Sequence, residues 1–477
     1  MTDILFDPAP IDPDLPRYDS LLRNLQGNIL KGHGRDHAVL IFFSFNPPPE
    51  KVRPGLMELL KCVTSAADQL KQAEEFQKTK VSGGLFANFF LSFSGYAALG
   101  FLEPHLTDAF PNSDASAFRR GMKEFGTDPI LNLADQPVEE WEERYQRQID
   151  AMLLLADDDL PALASYEHDA IAAIETFATI VVVEHGAALR TAAGVGVEHF
   201  GYADGRSQPI FFKKDLDNEG PATTWNAAAG LSLALIKDRG VPDESAYGSF
   251  LIYRKLEQDV RGFVLREQAL AAEMGLEEGD RERAGAMAVG RFRDGTPLAT
   301  AGAPTSPLTN DFGYEGDPDG AKCPFHAHIR KANPRGEATE LGALEVQNAI
   351  RIVRRGIPYG TRTDLPGASV APETLPSADV GLLFMCFQRT VETQFKKIQQ
   401  QWANASGSPV SKGKGSDPVI GQGISIAQQW PTKYGNKESP HNATFGSFVK
   451  MKGGEVFFAP SIPFLRTLAP PPPPPAQ

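Results

Sequence analysis

With 477 residues, the chain is long enough for about three average domains or two larger ones. Hydrophobic residues make up 42% of it and charged residues 22%, which allows a sizeable buried core. A formal charge of −13 with no offsetting basic patch argues against a nucleic-acid partner, and no run of about 18 apolar residues offers a membrane span. Cys62, Cys323 and Cys386 lie far apart, cannot all pair and lack zinc-site spacing. They point to a reducing compartment or isolated thiols. The opening MTDILFDPAPIDPDLP has no basic region followed by an apolar run, so no cleavable signal peptide is expected. The default location is then cytoplasmic, with non-conventional export left open.

HAVLIFFSF (37–45) is a short apolar run rich in β-branched and aromatic residues, and predicts a buried strand. A long helical pattern follows over 49–78, then a strand running into a turn over 88–101. Residues 149–159 predict a strand, 160–177 a helix with apolar residues at helical spacing, and 179–186 a strand. This is the ferredoxin-like order β-α-β-β-α-β. The second half repeats it: strands at 249–256, 348–356, 379–388 and 453–461, with helices at 257–275 and 392–402. The expected fold class is α+β, a duplicated ferredoxin-like domain with antiparallel sheets and packed helices. The expected boundaries are 1–212 and 213–465. The Gly-, Ser- and Lys-rich stretch 403–422 predicts a loop, and the Pro-rich tail 466–477 an extended polyproline segment.

Chemistry-bearing residues concentrate in a few places. FGYADGRSQPIF sets Asp204 between Gly201 and Gly205, in a turn where the chain leaves a packed region. Nine histidines occur, and CPFHAHIRKANPR carries two of them, His326 and His328. A zinc site would need further ligands at short spacing; a haem iron needs one axial histidine, because the porphyrin supplies four nitrogens. Structural or surface histidines remain the alternative. RIVRRGIPYG places Arg351, Arg354 and Arg355 along an apolar strand, and a buried arginine must meet an anion. That anion is either a carboxylate of the fold or negative charge developing in a cavity. KKDLDNEG presents Asp215, Asp217 and Glu219 at alternate positions, with Glu345 shortly before Arg354. These are oxygen donors suited to Mn²⁺, or a solvated turn.

GYADG, CPFHAHIRKANPR, RRGIPYG, GLLFMCFQ and FVKMKGGEVFFAPS together resemble the dye-decolorizing peroxidases, particularly their fungal branch, over about residues 20–465. The resemblance implies two ferredoxin-like domains enclosing haem b. It implies peroxide-dependent oxidation of dyes and of phenolic and lignin-related aromatics through a ferryl intermediate, and the acidic residues above add Mn(II) oxidation as an open alternative. Carried over by motif, Asp204 is the distal acid–base and Arg354 the distal arginine. His328, not His326, is the axial iron ligand. Leu382 and Phe384 wall the distal cavity, and Asp417 in SDPVIG accepts the other N–H of the histidine. Val353 stands where some relatives carry a polar residue. An aspartate, with an ordinary pKa near 4, stays a base further into acid than the distal histidine of other haem peroxidases.

A pocket of Asp, Arg, Leu and Phe is too small for a bulky dye. Long-range electron transfer is therefore expected, with Tyr359 near the haem edge and Trp402 exposed at the end of its helix; plain packing is the other reading of both rings. Two rivals stand beside the peroxidase. One is a haem-handling protein without peroxide turnover, against which the distal acid–base pair argues. The other is a hydrolase using Asp204 with His199 or His328, for which no nucleophile elbow is present.

Overall fold

A computed structural model describes residues 4–46, 48–101, 113–125, 132–219, 225–306, 308–337, 344–362, 364 and 370–468. The Pro-rich tail lies outside the described residues from 469 onward.

The first half forms β1 (His37–Phe45), α1 (Pro49–Leu59), α2 (Ala66–Thr79), β2 (Phe86–Ser92), β3 (Ala151–Asp157), α3 (Leu160–Glu175) and β4 (Ala178–Ala187). Its strands pair antiparallel in the order β2-β3-β1-β4. The second half supplies β5 (Tyr247–Gln258), α4 (Val260–Glu273), α5 (His328–Ala332), β6 (Val353–Arg354), β7 (Ile357–Tyr359), β8 (Gly381–Gln388), α6 (Val391–Ala403) and β9 (Val449–Ala459). Here the order is β9-β5-β8-β7, the same as in the first half, with β6 paired to β8.

The two sheets do not stay apart. β9 pairs with β2 and β7 with β4, so eight strands close into one barrel and no edge of the ring is left unpaired. Closure explains why β1 reads as continuous apolar sequence rather than an alternation. One face meets the barrel interior and the other a layer of helices, and both are buried. Inside the barrel, the Phe42 ring lies 4.7 Å from Tyr253 and 6.2 Å from Phe457. Alternation along β5 then sends Tyr253 and Lys255 inward, and Arg254, Leu256 and Gln258 outward.

Local chemistry sets the element ends, and it corrects three expectations. The helix expected over 49–78 is two helices, because Thr64 is extended: its N–H donates to Ala87 O and its carbonyl accepts from Gly27 N. Ser65 then caps α2, its Oγ accepting from Asp68 N at 3.0 Å. After β2 the chain does not simply turn. Ser92 caps a short helix, Phe93–Ala98. The strand expected over 348–356 is confined to Val353–Arg354, and Ile357–Tyr359 resumes pairing beyond Gly356.

Candidate active site

One cavity of about 380 Å³ lies against the outer face of β5 and β8. Leu256, Leu382, Phe384 and Ile352 give it apolar walls, and Asp204, Arg354 and His328 all border it.

Asp204 sits in a turn that needs glycine on both sides: Gly201 has φ 92° and Gly205 φ 73°. Glu198 anchors the turn to the barrel. Its carboxylate accepts from Phe200 N (2.8 Å), Tyr202 N (3.0 Å) and Gln258 Nε2 (2.6 Å). Burial pushes the Glu198 carboxyl up to about 6 despite these donors, and the charge of Asp204 pushes the same way. Arg354 reaches the turn from β6. Its Nη1 lies 3.3 Å from Asp204 Oδ1 and its Nη2 donates to Arg206 O at 2.7 Å, while its backbone N–H donates to Gln208 Oε1.

His328 begins α5, and its Nδ1 donates to Asp417 Oδ2 at 2.9 Å. The Asp417 side chain is fully buried, and its Oδ1 accepts from Val419 N (2.8 Å) and Ile420 N (3.0 Å). With the proton on Nδ1, Nε2 keeps its lone pair, the form a metal takes. Lys331 secures this arrangement. Its buried Nζ donates to the carbonyls of Trp402, Ala405 and Ser408, holding the chain that leads to Asp417. Burial lowers that ammonium to about 8.

Three further arginines border the cavity. Arg291 and Arg335 both donate to Ser207 Oγ, at 3.0 and 2.9 Å, and Arg351 donates to the carbonyls of Asn226 and Ala228. Among the described residues, none of the three pairs with a carboxylate. Burial pushes each guanidinium down to about 10, and Arg335 depresses the other two further. Such uncompensated charge calls for an anion. The donor set fits haem b: a neutral histidine backed by a carboxylate for iron, apolar walls for the porphyrin, and arginines for the two propionates. Arg335 belongs to the NPR of the histidine motif, and its position there was its only sequence signal. Lys331 and Gln208 likewise had only their places in CPFHAHIRKANPR and FGYADGRSQPIF, and Arg291 and Glu198 carried no signal.

The remaining expected site residues go elsewhere. Asp215, Asp217 and Glu219 lie on a helix, Lys213–Glu219, whose geometry turns Asp217 away from the other two. Asp215 pairs with Lys31 at 2.5 Å, Glu219 accepts from Asn310, and Glu345 sits on a separate short helix. Among the described residues, no group of three or more His, Cys, Asp or Glu is arranged to hold a metal ion. Trp402 is 2% exposed, packed with Ile350 and Ile398, so it is no surface aromatic. Tyr359 is 8% exposed and faces the barrel interior, with Lys255 Nζ 5.0 Å from its ring centre, not the cavity. His199 is buried, its Nε2 donating to Tyr359 O at 2.8 Å, and serves no hydrolytic partnership with Asp204. No described helix is long and apolar enough to cross a membrane.

Residues 24–190 match the family model for the DyP dimeric alpha+beta barrel domain, and residues 284–410 that for the Dyp-type peroxidase C-terminal region. The multifunctional dye peroxidase DyP2 of Amycolatopsis sp. (strain ATCC 39116 / 75iv2) is 42% identical over 460 residues, covering 94% of this chain and 96% of that one. The DyP-type peroxidase of Anabaena sp. superposes with a TM-score of 0.88 at 40% identity, covering 96% of this chain and 97% of that one. The fungal dye-decolorizing peroxidase msp1 of Mycetinis scorodonius is more distant, at 28% identity over 98% of this chain and 93% of its own. The fungal emphasis of the motif resemblance is not reflected in these identities.

Proposed function

Because the chain belongs to the dye-decolorizing peroxidase family, we propose that it uses hydrogen peroxide to oxidise aromatic dyes and phenols, with haem b held by His328 and peroxide activated by Asp204 and Arg354. One observation carries the reading: a single cavity is bordered both by a carboxylate-backed histidine and by a carboxylate–guanidinium pair. Bound haem would supply the redox chemistry, accepting two oxidising equivalents from peroxide and returning them in one-electron steps.

This chain's residues do the rest. Asp204 takes the proton from one peroxide oxygen and delivers it to the other, so that the O–O bond breaks with water as leaving group. Arg354 holds the Asp204 carboxylate in place and offers its guanidinium where negative charge develops. Asp417 fixes the tautomer and orientation of His328 and raises its basicity. Arg291, Arg335 and Arg351, which border the cavity without a carboxylate partner, would neutralise the propionates of the bound group. With a porphyrin in place, Leu382 and Phe384 in the cavity lining would leave narrow access for a small oxidant and exclude a multi-ring dye. Large substrates are oxidised from outside it. Mn²⁺ oxidation is not part of this reading, since the acidic residues expected to bind it do not converge. A pure haem carrier would have no use for the Asp204–Arg354 pair.

The test is an absorption spectrum of the haem-loaded protein before and after peroxide. A Soret band that shifts on adding peroxide and returns on adding a phenol supports the proposal. A Soret band indifferent to peroxide contradicts it.

A further inference from the structure

A second pocket, of about 280 Å³, shares no lining residue with the first. Phe325, Pro324, Pro431 and Pro440 give it flat apolar walls, and Lys412, Lys414 and Lys437 surround it, all three exposed. Asp319 also borders the pocket, but pairs with Lys437 at 2.9 Å. Among the described residues, Lys412 and Lys414 enter no ion pair, so the pocket is cationic in a protein of formal charge −13. His326 forms part of its lining. That side chain is 2% exposed, and its Nε2 is buried with no hydrogen-bond partner. Behind it lies the fully buried Trp430, edge-on at 4.3 Å between ring centres.

The position matters as much as the charge. His326 is separated from His328 by Ala327 alone, a span of at most about 7 Å along the chain. We propose that this pocket docks an anionic single-ring aromatic reductant, a phenol bearing a sulfonate or carboxylate, and that its electron enters past His326 toward His328. The lysines recognise the anion, the proline and phenylalanine walls take the ring, and His326 in the same lining brings the docked ring close to the chain that leads to His328. Each docked phenol gives up one electron, and its phenolic proton passes to solvent. Two such donors and two protons from solvent reduce one hydrogen peroxide to two waters. The proposal rests on the peroxidase reading above, and it gives anionic single-ring donors an entry separate from the cavity that His328 borders.

The experiment compares 4-hydroxybenzenesulfonate with phenol, on haem-loaded wild type and on the double variant Lys412→Glu/Lys414→Glu. Both substitutions are at exposed positions. The KM for the sulfonate should rise at least 10-fold in the variant, and should rise with salt in the wild type, because exposed charges are screened. The KM for phenol should move in neither case. An unchanged sulfonate KM, or an equal rise for both donors, overturns the proposal. His326→Asn tests the route: at saturating donor it should slow the return of the resting spectrum at least 5-fold for the sulfonate and not for phenol. Equal rates overturn the route. The Soret response to peroxide with no reductant reports on the haem site separately. Its absence in the wild type would sink the peroxidase reading; its presence beside an unchanged sulfonate KM sinks the docking site alone.

Discussion

Arg354 Nη1 lies 3.3 Å from Asp204 Oδ1, although 150 residues of chain separate the two. Arg354 arrives on a two-residue strand paired to β8, and Asp204 in a turn tied to β5 through Glu198 and Gln258. Since β5 and β8 are neighbours in the barrel, the fold itself sets the acid beside the guanidinium.

Replacing the guanidinium tests what it does there. Arg354→Leu should slow the peroxide-dependent Soret change by roughly two to three orders of magnitude at full haem occupancy, the usual cost of removing a donor aimed at developing charge. Stopped-flow mixing measures it. An unchanged rate would reduce Arg354 to a structural partner of Asp204.

The histidines separate by haem binding. His328→Ala should abolish stable haem incorporation, whereas His326→Ala, at a residue 2% exposed against Trp430, should largely preserve it. Asp417→Ala should lower haem affinity or peroxide reactivity by roughly 10- to 100-fold, the usual effect of losing the group behind a metal-bound histidine. Haem titrations of the three variants give the order directly.

Acid should weaken the fold through His199. Burial lowers its imidazole to about 4, with the Tyr359 carbonyl acting against the shift. The unfolded chain binds that proton near 6.5, so the unfolded state gains protons first as pH falls. His199 therefore contributes its stability in full above about pH 6.5 and loses about 3 kcal/mol of it as pH drops to about 4. Urea unfolding at pH 7.5 and 4.5 should show a smaller difference for His199→Gln than for wild type. Equal differences would mean that His199 does not titrate on unfolding.

Trp402 should behave as a core residue. It packs with Ile350 and Ile398, and Ile398 also borders the haem cavity. Trp402→Ala should cost about 3–5 kcal/mol by leaving a cavity. Denaturant unfolding of the haem-free protein measures it; a loss below about 1 kcal/mol would argue that the ring is not packed.

Much of this was legible in the sequence, and the exceptions have physical causes. Continuous apolar runs gave away β1 and β8, because strands buried on both faces leave little room for polar residues, whereas β9 was read only from Gly453 onward, its first residues carrying Lys450 and Lys452. Barrel closure was not legible, since pairing between β9 and β2 or β7 and β4 depends on edges distant in sequence. The break at Thr64 was hidden for a similar reason, its partners being Gly27 and Ala87. Trp402 was expected at the surface. α6, however, ends with an i→i+5 bond from Asn404 N to Gln399 O, a winding that changes which side chains share a face. Asp417 was read from its motif alone, and its bonds to Val419 N and Ile420 N are the local pattern that held it ready for His328. Of the arginine rim, Arg351 was read as a guanidinium that must meet an anion and Arg335 stood in the histidine motif, whereas Arg291 was invisible, because its partners are Gly295 O, Ser207 and Asn310, which leave no charge pattern.

The most direct measurement is the stopped-flow reaction of hydrogen peroxide with Asp204→Asn, at confirmed full haem occupancy and beside wild type. Asparagine keeps the shape of the turn and can still accept from Arg354, but it cannot take a proton from peroxide. The Soret change should slow by roughly two to four orders of magnitude. A rate equal to that of wild type would show that Asp204 is not the acid–base group, and would contradict the mechanism at its centre.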